Sequence, residues 1–119
     1  MGYRLFLDDE RTPSDVFEHI DADPAYREEW VVVRTVAEAC AAVEARGFPA
    51  SVSFDHDLGD QVPTGKDFAN WLVERDLDRG DMPEDFEFRV HSRNPAGARN
   101  IRGLLEGYLA ARAAPGRSR

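Results

Sequence analysis

The chain holds one cysteine and one lysine among 119 residues. The lone Cys40 has no partner within the chain, so the fold does not depend on an oxidising compartment. No apolar run approaches the roughly 20 residues needed to span a bilayer. Arg4, Asp8 and Asp9 interrupt the first apolar run before it could serve as the core of a secretion signal. These absences set the expectation of a cytoplasmic protein with no membrane partner. No internal repeat is present. The one biased stretch is a short Ala/Arg/Gly/Ser tail after Ala113, which is expected to fray. The expected organisation is a single domain over 1–113 and a flexible tail over 114–119, since the length suits one core and not two.

What is present in quantity is acid. There are 23 Asp and Glu against 15 Lys and Arg, a net charge of −8. The total hides a division. Residues 1–88 carry 22 acids and 8 bases, a net −14; residues 89–119 carry seven arginines and one acid, a net +6. Overall acidity argues against general binding of duplex nucleic acid. It leaves room for a basic wall that meets a single phosphate, either on a small substrate or at a nucleotide or RNA end. Oligomeric state is not legible from this pattern.

The hydrophobic pattern alternates strand and helix. Tyr3–Leu7, Trp30–Arg34, Ala50–Phe54 and Phe86–His91 are short apolar or β-branched runs, predicted as strands. Helices are predicted from about Ser14 to Ile20, from Thr35 to Gly47 with Thr35 and Glu38 as a capping box, from Thr64 to Gly80, and after the Asn94-Pro95 cap. The last carries Ile101, Leu104, Leu105, Tyr108 and Leu109 on one stripe. Residues 21–29 are polar, contain Pro24, and read as a loop. The run from Phe86 to His91 alternates faces, as a half-covered edge strand does. Four strand–helix units predict a parallel sheet flanked by helices. In such sheets ligands bind at the carboxyl ends of the strands.

Three of those ends carry chemistry. The first strand ends in Asp8-Asp9-Glu10-Arg11, the third in Asp55-His56-Asp57, and the fourth in His91-Ser92-Arg93-Asn94. Each has a plain explanation taken alone: helix capping, a satisfied turn histidine, solvated charge. Their shared position at strand ends favours one site. His56 and His91 are the candidate acid–base pair, because imidazole titrates near neutrality. Asp8, Asp9 and Asp55 or Asp57 are candidates to hold Mg²⁺ or to orient the histidines. Ser92, Arg93, Asn94, Arg99 and Asn100, around a helix start, are candidates to bind substrate phosphate. Lys66 and His19 receive no role; Cys40, Trp30 and Trp71 read as core.

Together LFLDDERTP, SFDHDLG and VHSRNPAGARNI resemble the cyclic-phosphate processing receiver domains, a divergent branch of the response-regulator receivers. The resemblance runs from about Tyr3 to Leu109. It implies a flavodoxin-like α/β/α fold with a short parallel sheet of about four strands, the fifth strand and last receiver helix missing. An ordinary receiver pairs its phosphorylated Asp with a lysine from that fifth strand; here the only lysine, Lys66, begins the third predicted helix. The acceptor Asp matches either Asp55 or Asp57. The resemblance implies a phosphoesterase that opens cyclic phosphates, such as 2′,3′-cyclic ends of RNA, using two pocket histidines. Two alternatives stand beside it: an inactive pseudo-receiver that binds a partner, and a Mg²⁺-dependent phosphohydrolase with an Asp nucleophile.

Overall fold

The structure is a computed structural model, and it describes residues 2–113. The expected tail over 114–119 lies outside the described residues. Strands β1 (Arg4–Leu7), β2 (Val31–Val33), β3 (Ser51–Phe54) and β4 (Glu87–Val90) alternate with helices α1 (Pro13–His19), α2 (Val36–Arg46), α3 (Gly65–Arg79) and α4 (Pro95–Ala113). The strands form one parallel sheet in the order β2-β1-β3-β4. This is the doubly wound order of flavodoxin-like sheets, with four strands. β4 is an edge, as its alternation predicts. No helix among the described residues is long and apolar enough to cross a membrane.

The two faces of the sheet differ. Leu5, Leu7, Val52, Phe54 and Val90 point to one side, where α2, α3 and α4 bring Ala39, Val43, Phe68, Leu72, Ile101 and Leu105 into a single buried cluster. Full burial of each large side chain there contributes about 1.5–3 kcal/mol. The other side is thinner. Phe6 meets Val16 of α1 and Tyr26, with Phe17, Ile20 and Trp30 at the margin.

Tyr26 belongs to the segment predicted as a loop, and here the structure corrects the prediction. Pro24–Arg27 forms a 3₁₀ turn capped by the Asp23 side chain on the Ala25 N–H. The turn lies across the sheet: the Tyr26 hydroxyl is 2.7 Å from Ser53 Oγ on β3, and Arg89 Nε on β4 donates to Asp23 at 2.7 Å. Polar composition concealed this, because Tyr26 alone in the turn packs on the apolar cluster and the rest of the cover is hydrogen bonds and one ion pair.

Capping also differs from expectation at one helix. Thr35 accepts from Glu38 N as predicted, but the Glu38 carboxylate accepts from Arg34 N rather than closing the reciprocal bond. Complete capping boxes occur instead at Thr12/Asp15 and Thr64/Asp67. The acid three residues after a threonine is aspartate in both, short enough to fold back onto the threonine's own N–H.

Candidate metal and phosphate cleft

The register of the sheet builds the site. Leu7 pairs with Phe54, and Phe54 with Val90. The ladder continues one residue further, through Asp8 N to Val33 O, Asp55 N to Leu7 O and His91 N to Phe54 O. Asp8, Asp55 and His91 therefore stand side by side, on the face opposite the Leu7–Phe54–Val90 row. Above them opens a cleft of about 530 Å³ lined by Asp8, Asp9, Arg11, Asp55, Ser92 and Arg93, with Glu10, Asp57, Asp60 and Asn94 around them.

Asp8 is buried and fully engaged. Its Oδ1 accepts from the backbone N–H of Glu10 and of Arg11, both at 2.8 Å, and Oδ2 accepts from His91 Nε2 at 3.0 Å and from Arg11 Nη1 at 3.2 Å. Burial pushes its pKa up, but the His91 bond and the two backbone donors outweigh that and hold Asp8 well below the usual carboxylate range. Asp55 is the opposite case. Its Oδ1 accepts from the His56 N–H at 2.9 Å, while Oδ2 makes no hydrogen bond among the described residues and has Arg11 Nη1 at 3.8 Å. Burial, and then the Asp8 charge, push its pKa up.

Asp8, Asp9 and Asp55 offer carboxylate oxygens that lie within 4.8 Å of one another. Three hard oxygens with excess negative charge fit a divalent cation such as Mg²⁺ or Mn²⁺. Asp55 Oδ2, on a buried carboxylate, accepts no hydrogen bond among the described residues. The residues present therefore fit the group. Asp57 does not join them. It is exposed, accepts from Asn94 Nδ2 at 3.1 Å, and pairs with His56 Nδ1 at 2.9 Å. The aspartate that the strand delivers to the acidic cluster is Asp55.

The histidines occupy two different settings, and neither ring lines the cleft. His91 is 1% exposed. It stacks on Phe6 at 4.6 Å between centroids, with Nε2 on Asp8 and Nδ1 2.7 Å from Ser53 Oγ. Tyr26, Ser53, His91 and Asp8 thus form one buried chain, satisfied throughout when Tyr26 donates to Ser53, Ser53 to Nδ1, and Nε2–H to Asp8. This corrects the expectation of His91 as an acid–base group in the pocket: burial and two protein partners leave its nitrogens no access. His56 is held from above by α4. A Cβ on Gly97 would lie 2.4 Å from the His56 Cγ, so only glycine lets the helix seat on the ring. Gly65 does the same for α3, where a Cβ would meet the Asp55 carbonyl at 1.9 Å.

The β4–α4 junction supplies the opposite wall. Asn94 caps α4 by accepting from Gly97 N at 2.9 Å, and Ser92 Oγ accepts from Asn94 N at 3.1 Å. Ser92 and the exposed Arg93 line the cleft. Arg99 and Asn100 do not: both are exposed on α4 and outside the lining, which corrects their expected contact with phosphate. Sequence reading assigned no role to Arg11. The signal for it is an Asx-turn, Asp8 accepting at i+2 and i+3, which brings the arginine back over the acids.

Residues 3–107 match the family described as the cyclic-phosphate processing receiver domain. The chain belongs to that family. Its fold is accordingly a truncated flavodoxin-like receiver. Among solved structures, the signal receiver domain of a Luxo repressor protein from Vibrio parahaemolyticus is 16% identical, with a TM-score of 0.46, covering 91% of this chain and 89% of its own. The Mn²⁺-bound form of the response regulator Rcp1 is 17% identical, with a TM-score of 0.45, covering 98% and 100%. No curated protein matches significantly. The cation beside the acids is Arg11, with Nη1 3.2 Å from Asp8 Oδ2 and 3.8 Å from Asp55 Oδ2. Lys66 lies in the first turn of α3, outside the cleft lining.

Proposed function

We propose that this receiver domain opens cyclic phosphodiesters, such as the 2′,3′-cyclic end of an RNA or nucleotide, with Mg²⁺ or a similar ion held by Asp8, Asp9 and Asp55. The observation that carries the reading is the convergence of those three carboxylates with Arg11, Arg93 and Ser92 on one cleft. Six acids line it, among them Glu10, Asp57 and Asp60, so a phosphate enters only if positive charge offsets them. A cation held by Asp8, Asp9 and Asp55 would supply that charge and polarise the phosphoryl oxygens.

The chain's own residues do the rest. Arg93 and the Ser92 hydroxyl hold the non-bridging oxygens. The α4 N-terminus contributes less than its position suggests, because Asn94 already takes the Gly97 N–H and Pro95 has none. His56 is the candidate acid–base residue: its ring stands outside the cleft lining and is joined to it through Asp57, and if aligned it is worth about 10²–10⁴-fold. Asp57 fixes the imidazole by accepting from Nδ1, and Asn94 in turn steadies Asp57. His91 acts behind Asp8, keeping it ionised and in place.

The test is turnover of a 2′,3′-cyclic nucleotide with Mg²⁺ and with EDTA. Loss with EDTA, in Asp55→Asn and in His56→Ala is the expected result. Metal-independent turnover that survives Asp55→Asn would overturn the reading. Absence of turnover with retained phosphate binding would favour the pseudo-receiver, for which the enclosure of His91 and the position of both rings outside the cleft lining speak.

A further inference from the structure

An ionised carboxylate has about four lone-pair positions, and Asp8 uses four: Glu10 N, Arg11 N, His91 Nε2 and Arg11 Nη1. A cation that binds Asp8 must therefore displace a donor. Three of the four cannot leave cheaply. The two backbone donors belong to the turn that ends β1. His91 is sealed by its stack on Phe6 and its bond to Ser53. The fourth is the Arg11 guanidinium, on a side chain 31% exposed at the cleft wall.

The same Nη1 lies 3.8 Å from Asp55 Oδ2, a 92%-buried carboxylate whose Oδ2 makes no other polar contact among the described residues. One guanidinium nitrogen thus stands between two ligands of the candidate cation seat. Its departure does not require the loop to move. Arg34 Nη1 donates to the Arg11 carbonyl at 2.6 Å and to the Asp8 carbonyl at 3.0 Å, pinning the backbone of the turn. Arg11 is tethered at its main chain and exchangeable at its tip.

We infer that Arg11 is a resident cation that a divalent ion replaces, and that the released guanidinium then binds the phosphoryl group of the cleft ligand. Metal and phosphate consequently bind with positive coupling. The inference rests on the reading that Asp8, Asp9 and Asp55 accept a divalent cation. An arginine fork is suited to the second half of the exchange, since it meets phosphate through two parallel N–H donors. Coupling of this kind is reciprocal and typically spans about 5- to 150-fold.

The experiment titrates the full chain with Mn²⁺, following free Mn²⁺ by EPR, with and without inorganic phosphate. In the unsubstituted protein, phosphate should tighten Mn²⁺ binding about fivefold or more. Arg11→Gln should bind Mn²⁺ about fivefold tighter without phosphate, and gain less than the parent when phosphate is added, since only the direct attraction between cation and phosphate then remains. Arg93→Gln removes the same charge from the same cleft without touching Asp8; without phosphate it should leave Mn²⁺ affinity within about twofold, and it is compared only in that arm because Arg93 also belongs to the phosphate wall. Arg11→Lys keeps a cation at the acids and should bind Mn²⁺ as loosely as the parent, which also guards against a misfolded glutamine variant.

Equal or weaker Mn²⁺ binding by Arg11→Gln would overturn the exchange while leaving the cation seat standing. So would tightening of the same size in Arg93→Gln, which would reduce the effect to general charge. Failure of both the parent and Arg11→Gln to bind Mn²⁺ would overturn the cation reading and the exchange together.

Discussion

The two faces of the sheet solve the same problem by different physics. Under α2, α3 and α4 the strands bury an apolar layer in which Phe54, Phe68, Leu72 and Ile101 are fully enclosed. Under α1 and the 3₁₀ turn the cover is smaller, and the central strand presents Ser53 where the first presents Phe6. That space is filled by a hydrogen-bonded chain, Tyr26–Ser53–His91–Asp8. The dry face holds the fold together without regard to direction. The polar face fixes one carboxylate at one place, because each buried donor must meet its acceptor. The cleft lies at the end of the polar face, where direction matters.

The largest expected effect breaks the dry face. Phe68→Ala should cost about 3–5 kcal/mol in chemical denaturation, with Mn²⁺ affinity unchanged in the folded protein. A shift in affinity as large as that of a cleft variant would show that the faces are not separable.

His91→Phe comes next. It preserves an aromatic ring on Phe6 but leaves Asp8 and Ser53 short of partners, at about 1–3 kcal/mol. A cost below about 0.5 kcal/mol would mean that the polar chain is not what holds Asp8.

Tyr26→Phe is milder near neutrality, about 0.5–1.5 kcal/mol, and more informative in alkali. Burial pushes the Tyr26 pKa up to about 12, against a partial opposing effect of the Ser53 bond. An unfolded tyrosine ionises near 10. As pH rises from about 10 toward 12, the unfolded chain releases the proton and the folded chain keeps it, so stability falls across that window. The loss is on the order of 2 kcal/mol. Denaturation at pH 9 and pH 11.5 should show this fall in the parent and a flatter profile in Tyr26→Phe. Equal slopes would place the alkaline loss elsewhere.

The smallest effect sharpens the boundary of the site. Arg99→Ala should change stability by no more than about 0.5 kcal/mol and leave phosphate binding intact. Arg93→Ala should weaken phosphate binding measurably by calorimetry. Equal losses would extend the anion wall along α4.

Much of the fold was legible because local patterns sufficed. The β-branched runs, the Thr64 and Asn94 caps, Gly47 and Gly80, and the Ile101–Leu105 stripe each predict their element unaided. The acids at the first and third strand ends were legible too, since topology sends those ends to one crevice. Burial was not. Asp55 and Asp57 are two residues apart in sequence and differ only in which reaches the ladder. His56 and His91 look equivalent in a motif, yet one packs under Gly97 and the other is enclosed by Phe6, Ser53 and Tyr26. Contacts between residues 26, 53 and 91 leave no periodic trace.

The sequence by itself determined the order of strands and helices, the acidic and basic halves of the chain, and the family. Those follow from local propensity, composition and motif. Only the tertiary structure decided which aspartates stand together, which histidine is sealed, and that Arg11 is the cation beside Asp8 and Asp55. Those depend on register and burial, where one residue along a strand turns a side chain from one face to the other.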